Sequence, residues 1–464
     1  MTKKTIIRFF GMALMLQAFS ACSPDDYTYH DNSIMSIEDI DHIELIANQK
    51  MVLADGRAQL ELYPRLFTKD NYQIPDERIQ DDWLEYTSES GIALQRYFST
   101  TDVSFVGKTI TAKLKIKGTQ LESNPVSFQV TEPLERQYTS EIRIPVVFHI
   151  IQTTEDIESF GGAYKQEQIE QVLRKLNYMF SGETTQNPVG VDTHIRLVLA
   201  GYSPDGSRMM EPGINRFTMK EIDATNNYED FLVANHLIWP AGQYMNIWLI
   251  SDRGSVSGTF SKVSNRCIPQ YVPADVQGMP EGIEWKEYQD EPLLAKDLGV
   301  LYKLQELDKI DRNFKVSEYE PGYNEIGYYI GRYLGLLPTC NYMNDEIGTD
   351  YCDDTLNYIR DESKPGKNET WYKESEGCYF RAENIMDDPT GGHCSVSRDQ
   401  CMRMRWVLNN CVDVRRGNRI LHSKANKKCI DTYLYLNELY EVFYFFGRCL
   451  YVGRVYGLYG KCRL

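Results

Sequence analysis

The hydrophobic pattern of the chain changes near residue 133, and this change constrains the fold more than any other feature of the sequence. Before it, apolar and polar residues alternate in short runs, as at Ala58, Leu60 and Leu62. A period of two is typical of a strand with one buried face. The helical period is weak in this part, so we predict that residues 40–133 form a small antiparallel β-sandwich of immunoglobulin-like type.

The pattern beyond that point alternates between strands and helices. Residues 144–151 form an apolar run that suits a strand buried on both faces. A series of apolar residues at helical spacing then runs from Ile169 to Phe180. We therefore predict an α/β domain over residues 134–415, and we expect the whole chain to be α+β.

A histidine lies inside the first strand of this second pattern. His149 is flanked by apolar residues and has no second metal-ligand residue at a suitable spacing. We therefore predict that it is a buried core histidine with satisfied hydrogen bonds.

Composition and charge limit the classes of function. The chain of 464 residues is 42% hydrophobic and 25% charged, which indicates a globular protein. Its 66 acidic and 50 basic side chains give a formal net charge of -16. That charge repels phosphate, so we expect no nucleic-acid partner.

The first residues resemble a bacterial lipoprotein signal. Lys3 and Lys4 begin a basic segment, residues 9–19 are apolar but short for a membrane span, and small residues precede Cys22. The resemblance implies a signal peptide over residues 1–21 and acyl groups on Cys22, which would attach the protein to a membrane lipid layer. An ordinary cleaved signal followed by an incidental cysteine is the alternative.

Residues 22–39 are polar and predict a tether between the membrane and the folded domains. Acidic residues directly follow Cys22, and this resembles the export signal of some outer-membrane lipoproteins. We therefore expect the protein to lie on the cell outer membrane and to be exposed at the surface.

Ten further cysteines follow Cys22, and six of them crowd one region. These six are Cys340, Cys352, Cys378, Cys394, Cys401 and Cys411. Thiols in exported proteins tend to pair, so we predict a region stapled by disulfides. The spacing leaves the pairing pattern open.

The most informative motif runs from Tyr328 to Cys340. Its skeleton resembles the zinc helix of the pappalysin-like metzincin peptidases, in which a helix supplies two histidines and a glycine-enabled turn returns a third. The residues in register are Gly331, Leu334, Gly335, Leu336 and Thr339. The resemblance implies a metzincin-like domain with a mixed sheet, an active-site helix and a Met-turn.

In this register the resemblance places Tyr328, Arg332 and Pro338 at the three ligand positions. Tyr329 stands at the position of the glutamate that polarises the zinc-bound water. A phenol with a pKa of about 10, a permanent cation and a proline are poor zinc donors. We therefore expect neither zinc nor catalysis, and we expect Arg332 to pair with a carboxylate such as Glu325 or Asp387.

A second register lies four residues earlier. It keeps Glu325 as the glutamate, but it places Asn324, Tyr328 and Leu334 at the ligand positions. This register also lacks all three histidines. The first register is preferred because it also matches the sequence after the helix.

Other segments resemble the same family in the same order along the chain. They are an opening strand at 144–151, a helix at 166–180, a strand at 244–248, a loop at 350–355 and a Met-turn at 384–387. The resemblance implies that Met386 packs beneath the site without binding metal. Asp388 departs from the family, which often has a tyrosine at this place.

An acidic loop follows the zinc-helix motif. Its carboxylates are Asp345, Asp350, Asp353 and Asp354, together with Glu346. Carboxylate oxygens are suitable calcium ligands, and related peptidases hold structural calcium nearby. The sequence is consistent with a calcium site and equally with a solvated acidic loop.

Residues 416–464 form a tail that differs from the rest of the chain. Nine basic side chains stand against three acidic ones, and ten aromatic residues lie between Tyr433 and Tyr459. We assign the tail no function. An altered reading frame at the end of the gene would explain its composition equally well.

Together these features predict an exported, lipid-anchored and non-catalytic protein that binds a peptide or protein in the cleft of a dismantled peptidase. The edge strand after about Ser257 would accept the peptide by strand addition. Two alternatives remain. One is an active metallopeptidase with atypical ligands, and the other is a decayed gene product.

Overall fold

The structure of the chain is a computed structural model. It describes residues 36–159, 164–183, 185–219, 228–250, 266–267, 299–304, 307, 325–342, 349–360, 372–387, 394–410, 412–413 and 418–419. Several predictions lie outside these residues. They are the signal peptide, Cys22, the tether up to residue 35, the edge strand after Ser257, Asp345, Asp388, Cys411 and nearly all of the tail.

The first part of the chain is built from short strands. They are β1 (His42–Ala47), β2 (Met51–Leu53), β3 (Leu60–Phe67), β4 (Leu84–Ser88), β5 (Tyr97–Phe98), β6 (Thr109–Ile116) and β7 (Val126–Thr131). Side chains in β3, β6 and β7 alternate between buried and more exposed positions. The buried ones form a single apolar core that includes Leu60, Leu62 and Leu114. This burial follows the predicted period of two.

These strands are arranged in two sheets. Within the described residues, β2, β7, β6 and β4 form one sheet in that order. The other contains β1, β3 and β5 and continues into β17 (Cys378–Arg381) and β16 (Tyr372–Ser375). β1 and β17 run parallel and pair at Ala47 and Cys378. A hairpin from far along the chain thus completes the first sheet, and the immunoglobulin-like type stays a prediction.

The second part contains a mixed sheet around β8 (Ile142–Thr153). Its other described strands are β9 (Ile195–Leu199), β10 (Ile214–Met219), β11 (Met245–Ile250), β12 (Arg266–Cys267) and β13 (Gly299–Lys303). β8 runs parallel to β9, β10 and β11, and β11 runs parallel to β13, whereas β12 is antiparallel to β13. Every residue of β11 is buried. The prediction of a mixed sheet is confirmed, as is the α+β class.

Helices and short strand pairs complete the described chain. The helices are α1 (Thr154–Ser159), α2 (Gln166–Ser181), α3 (Tyr228–Ala234), α4 (Glu325–Tyr333) and α5 (Arg398–Asn410). The short strands are β14 (Cys340–Tyr342), β15 (Tyr358–Arg360), β18 (Val412–Asp413) and β19 (Asn418–Arg419). None of the described helices has the length and apolar character that crossing a membrane requires.

α2 shows why the predicted helical period is correct. Its buried side chains include the whole predicted series from Ile169 to Phe180. The helix ends before Gly182, which has a φ of 60°. A Cβ at this glycine would lie 2.6 Å from the carbonyl oxygen of Val191, so only glycine fits there.

One apolar core joins the second sheet to its helices. Phe148 of β8, Leu176 of α2, Ile330 of α4 and Met404 of α5 all belong to it. α4, which carries the zinc-helix motif, is therefore held by the main core of this part of the protein.

His149 is a core histidine, as predicted. Its Nε2 lies 3.0 Å from Asn246 Oδ1, and its Nδ1 lies 2.9 Å from Asn215 Nδ2. Burial lowers the pKa of His149 to about 4, so the ring is neutral at neutral pH. The two contacts suit a tautomer that donates through Nε2 and accepts at Nδ1.

Candidate functional site

The end of α4 is a Schellman turn centred on Gly335. The N–H of Leu336 donates to Gly331 O at 3.0 Å, and the N–H of Gly335 donates to Arg332 O at 3.0 Å. Gly335 has a φ of 95°, a conformation that favours glycine. The chain therefore reverses after the helix at the glycine that the sequence predicts.

The segment around Met386 forms a tight turn beneath this helix. The N–H of Met386 donates to Asn384 Oδ1 at 2.9 Å, and the N–H of Asp387 donates to Asn384 O at 3.0 Å. An asparagine side chain commonly stabilises a turn in this way. The hydroxyl of Thr339 lies 3.1 Å from Met386 O and 2.5 Å from Asp387 Oδ1, which ties the chain after α4 to the turn.

The turn and the helix are in direct contact. Met386 is fully buried, and a Cβ at Gly331 would lie 2.7 Å from its Sδ atom. The glycine of the motif thus makes room for the methionine of the turn. The structure brings together these two residues, which the sequence predicted as separate signatures.

The side chains at the predicted ligand positions do not form a metal site. Tyr328 and Tyr329 are half-buried, with perpendicular rings whose centroids are 5.3 Å apart. Arg332 and Pro338 are also half-buried. A guanidinium and a proline offer zinc no electron pair, so this set does not fit zinc. Among the described residues, no group of three His, Cys, Asp or Glu side chains could hold a metal ion.

Arg332 also lacks the predicted ion pair with Asp387. The ion pairs among the described residues join lysines, histidines and other arginines to carboxylates, and none of them includes Arg332. The side chain of Glu325, the glutamate of the second register, lies outside the described atoms. Leu334, the third ligand position of that register, is apolar and buried.

The described carboxylates of the acidic loop after α4 lie in different environments. Asp350 Oδ1 lies 2.7 Å from the Thr355 hydroxyl and 3.3 Å from Asn357 Nδ2, whereas its buried Oδ2 has no hydrogen-bond partner within the described part of the chain. Burial raises the pKa of Asp350 to about 6. Asp353 is exposed. A single free carboxylate oxygen does not make a calcium site, so the described residues do not fit that ion.

Asp354 has a structural task that the sequence did not reveal. Its Oδ1 accepts from the Ser397 hydroxyl at 2.6 Å, and its Oδ2 accepts from the N–H of Asp399 at 3.0 Å. It therefore caps the first turn of α5 from a distant loop. Burial raises the pKa of Asp354 well above its ordinary value.

Arg403 is a second residue that sequence reasoning missed. It is fully buried in α5, and its Nε–H donates to Gly335 O at 2.6 Å. Its Nη1 and Nη2 atoms have no hydrogen-bond partner among the described residues. Burial lowers the pKa of Arg403, while the nearby Asp350 raises it.

The prediction of a disulfide-stapled region is not supported. No disulfide forms among the five described cysteines of the crowded group, which are Cys340, Cys352, Cys378, Cys394 and Cys401. All five are buried, and Cys401 belongs to the main core. Burial raises the pKa of Cys378 to about 11 and that of Cys401 to about 12, so both are neutral thiols.

No protein-family model matches the chain, and no curated protein matches it. Solved structures similar to part of it include mature mirolysin of Tannerella forsythia in complex with a cleaved peptide. That structure is 19% identical, covers 61% of this chain and 96% of the mirolysin chain, and gives a TM-score of 0.39. A promirolysin variant from the same organism is 18% identical, with coverage of 61% and 83% and a TM-score of 0.36. TM-scores this low do not establish a shared fold, so the proposals below rest on this chain's own residues.

Proposed function

We propose that this chain is an exported, lipid-anchored binding protein whose pappalysin-like metzincin domain performs no metal chemistry. One observation carries the proposal. Gly331 makes room for Met386 of the turn, and Gly335 reverses the chain after the helix. The helix nevertheless carries Tyr328 and Arg332 at the positions where the resemblance implies zinc ligands.

The chemistry of these side chains supports inactivity. Zinc sites use thiolates, neutral imidazoles and carboxylates, which have electron pairs to donate to the metal. Arg332 instead brings a permanent positive charge, which would repel a divalent cation. Tyr329 at the glutamate position is a weak acid and a poor base for a water molecule at neutral pH.

The proposed ligand is a peptide or protein segment in the cleft beside α4. Tyr328 and Tyr329 offer half-buried aromatic rings, a residue type that is enriched in binding surfaces. Strand addition at the edge after about Ser257 would supply main-chain hydrogen bonds. That edge lies outside the described residues.

Metal analysis of the purified full-length chain tests the inactivity. We expect far less than stoichiometric zinc, and we expect no casein cleavage that a chelator abolishes. Stoichiometric zinc with chelator-sensitive cleavage would overturn the proposal in favour of an active peptidase with atypical ligands.

A peptide-display screen tests the binding role. We expect recovered peptides to lose affinity in the Tyr329→Ala variant and to keep it in the Tyr72→Ala variant, which alters a half-buried tyrosine near the end of β3. Recovery of no peptide, or equal loss in both variants, would contradict the cleft as the binding site.

Membrane fractionation tests the anchor. We expect the chain in the outer-membrane fraction and the Cys22→Ala variant in the soluble fraction, because acyl chains on the thiol would supply the membrane affinity. An unchanged distribution would contradict lipidation at Cys22. Absence of the native protein from cells that transcribe the gene would favour a decayed gene product.

A further inference from the structure

One face of α4 is left partly open by the core. Ile326 and Ile330 belong to the main apolar core, whereas Tyr328, Tyr329 and Arg332 are half-buried. Residues three and four apart on a helix are neighbours on its surface, so these half-buried side chains form one continuous patch. This patch is called the open face of α4 below.

Arg332 carries a charge on this face without a partner among the described residues. No ion pair of the described chain includes it, and its guanidinium makes no hydrogen bond to a described residue. An arginine side chain is cationic at every working pH. A half-buried cation has lost part of its hydration, so an anion that reaches it is bound more strongly than at a fully exposed arginine.

Other half-buried arginines show how this chain accommodates such a charge. They pair with carboxylates: Arg65 with Glu374, Arg96 with Glu61 and Asp76, Arg196 with Asp192, and Arg216 with Glu211. Arg136, in contrast, makes no ion pair with a described residue and is exposed, so water solvates its charge. Arg332 combines the half-buried position of the first group with the missing carboxylate of the second case.

The position of Arg332 in the helix favours a carboxylate over a phosphate group. Phosphate sites commonly add the free N–H groups of a helix N-terminus to their cations. Arg332 lies instead in the last turn of α4, where the carbonyl groups of Gly331 and Arg332 accept from Leu336 and Gly335. A single guanidinium offers two parallel N–H groups, which match the two oxygens of one carboxylate.

The charge of the whole chain limits how acidic the ligand is. A formal net charge of -16 repels a run of acidic residues as it approaches. One carboxylate suffers least from this repulsion and still gains the local pair with Arg332, because charges beyond about 10 Å are largely screened by salt.

Aromatic rings beside Arg332 suit the rest of a peptide. The rings of Tyr328 and Tyr329 are perpendicular, with centroids 5.3 Å apart, and the ring of Tyr302 lies 6.4 Å from that of Tyr329. Tyrosine and arginine are both enriched at the centres of binding surfaces. The open face of α4 therefore offers apolar contact next to its charge, which a small free anion would leave unused.

We infer that the open face of α4 binds a peptide through one of its carboxylates, with Arg332 as the residue that determines specificity. The site is that of the proposed binding role, on which this assignment rests. The guanidinium of Arg332 would donate two hydrogen bonds to the carboxylate, and Tyr328 and Tyr329 would contact the adjoining peptide residue. The carboxylate belongs either to an Asp or Glu side chain or to the C-terminus of the peptide, since both present the same pair of oxygens.

Matched synthetic peptides tested against the full-length chain distinguish these sources. An array of short random peptides would carry each sequence with a central Glu or Gln and with a free or amidated C-terminus, and binders would be titrated by fluorescence polarisation. We expect a Kd at least about ten-fold lower for the form with the carboxylate, because the uncharged form loses a charge-assisted pair. Dependence on the central residue would assign a side-chain carboxylate, and dependence on amidation would assign the C-terminus.

Variants of the chain connect this preference to Arg332. The Arg332→Gln variant should bind both forms alike, and Arg332→Lys should keep only part of the preference because lysine lacks the planar fork. The control is Arg136→Gln, which removes the same charge from an exposed position and should keep the native preference. Unfolding curves of Arg332→Gln should match those of the native chain, because no ion pair of the described chain is lost.

The possible failures of this experiment are distinguishable. Peptides that bind the native chain equally well with and without the carboxylate would overturn the role of Arg332 and leave the binding role of the cleft intact. An equal loss of preference in Arg136→Gln would trace the preference to net charge and would also overturn that role. Binding of no peptide at all would overturn the proposed binding role, and the role of Arg332 with it.

Discussion

The Nε–H of Arg403 donates to the carbonyl oxygen of Gly335 at 2.6 Å, and this hydrogen bond ties the turn after α4 to helix α5. Both residues are buried, so water cannot replace the bond if it is lost. The interaction explains how a helix end without metal ligands keeps a defined position. Arg403 thus holds the predicted site in place from a helix that lies 68 residues further along the chain.

We expect the Arg403→Lys variant to be less stable than the native chain by about 1–3 kcal/mol. Lysine keeps the charge, but it has no N–H at the Nε position, so the Gly335 carbonyl is left buried without a donor. Urea unfolding would measure the difference. The control is Arg143→Lys, at an exposed pair with Glu141, where we expect a change below about 1 kcal/mol. Equal stability of the Arg403→Lys variant and the native chain would contradict this role.

His149 makes stability depend on pH in a defined direction. Its pKa is about 4 in the folded protein and 6.5 in its ordinary state, so the unfolded chain binds more protons between these values. The stabilisation from the neutral ring is complete above about pH 6.5 and is lost as the pH falls towards 4. The loss amounts to about 3 kcal/mol.

The His149→Gln variant isolates this effect from other titrating groups. The glutamine side chain does not titrate in this range. The stability difference between the native chain and the variant should therefore shrink by about 3 kcal/mol from pH 7 to pH 4. Unfolding curves at several pH values would measure it. A difference that stays constant over this range would show that His149 is not neutral and buried in solution.

Asp350 acts in the opposite direction. Its pKa is about 6 in the folded protein against an ordinary value of 3.8, so its contribution is most favourable below about pH 3.8 and is lost as the pH rises through 6. The free energy of unfolding of an uncharged Asp350→Asn variant, relative to that of the native chain, should therefore rise by about 2–3 kcal/mol between pH 4 and pH 7.

Calcium provides the control for that experiment. If Asp350 were a calcium ligand, added calcium would stabilise the native chain at pH 7 and the Asp350→Asn variant would lose that stabilisation. We expect equal unfolding curves with calcium and with a calcium chelator. A calcium-dependent shift of the unfolding curve in the native chain alone would support a calcium site at Asp350.

The sequence predicted those features that depend on neighbouring residues. The buried face of α2, the alternation in β3 and the left-handed glycine at Gly335 each follow from a local period or a single special residue. His149 was predictable because it stands in an apolar run without a ligand partner. Local patterns of this kind are set by backbone geometry and need no knowledge of distant contacts.

The contacts that the sequence could not reveal join distant segments. β17 pairs with β1 although its residues follow those of the second sheet, and Asp354 caps α5 across 45 residues. No local period encodes such a partner, and a carboxylate in an acidic loop suggests solvent exposure or metal binding equally well. The disulfide prediction is not supported by the described cysteines for a related reason, because cysteine spacing does not show that Cys401 packs in an apolar core.

Rebuilding the metal site tests whether the α4 scaffold has the geometry that the resemblance implies. Residues four apart share one helix face, and the Gly335 turn returns the chain towards the same face. Thr339, next to Pro338, contacts Met386, so the third position lies near the turn. We therefore expect the variant Tyr328→His, Tyr329→Glu, Arg332→His and Pro338→His to bind stoichiometric zinc, measured by metal analysis after dialysis.

The second register supplies the matched control for the rebuilt site. The variant Asn324→His, Tyr328→His and Leu334→His keeps Glu325, but it directs a histidine into the apolar core position of Leu334, so we expect it to bind no zinc and to be less stable. Zinc in this variant and none in the first would reverse the choice of register. Zinc in neither variant, with both variants folded, would mean that α4 and the Met386 turn do not bring the three positions close enough to share one ion. Three imidazole nitrogens hold zinc when each lies about 2 Å from a common point.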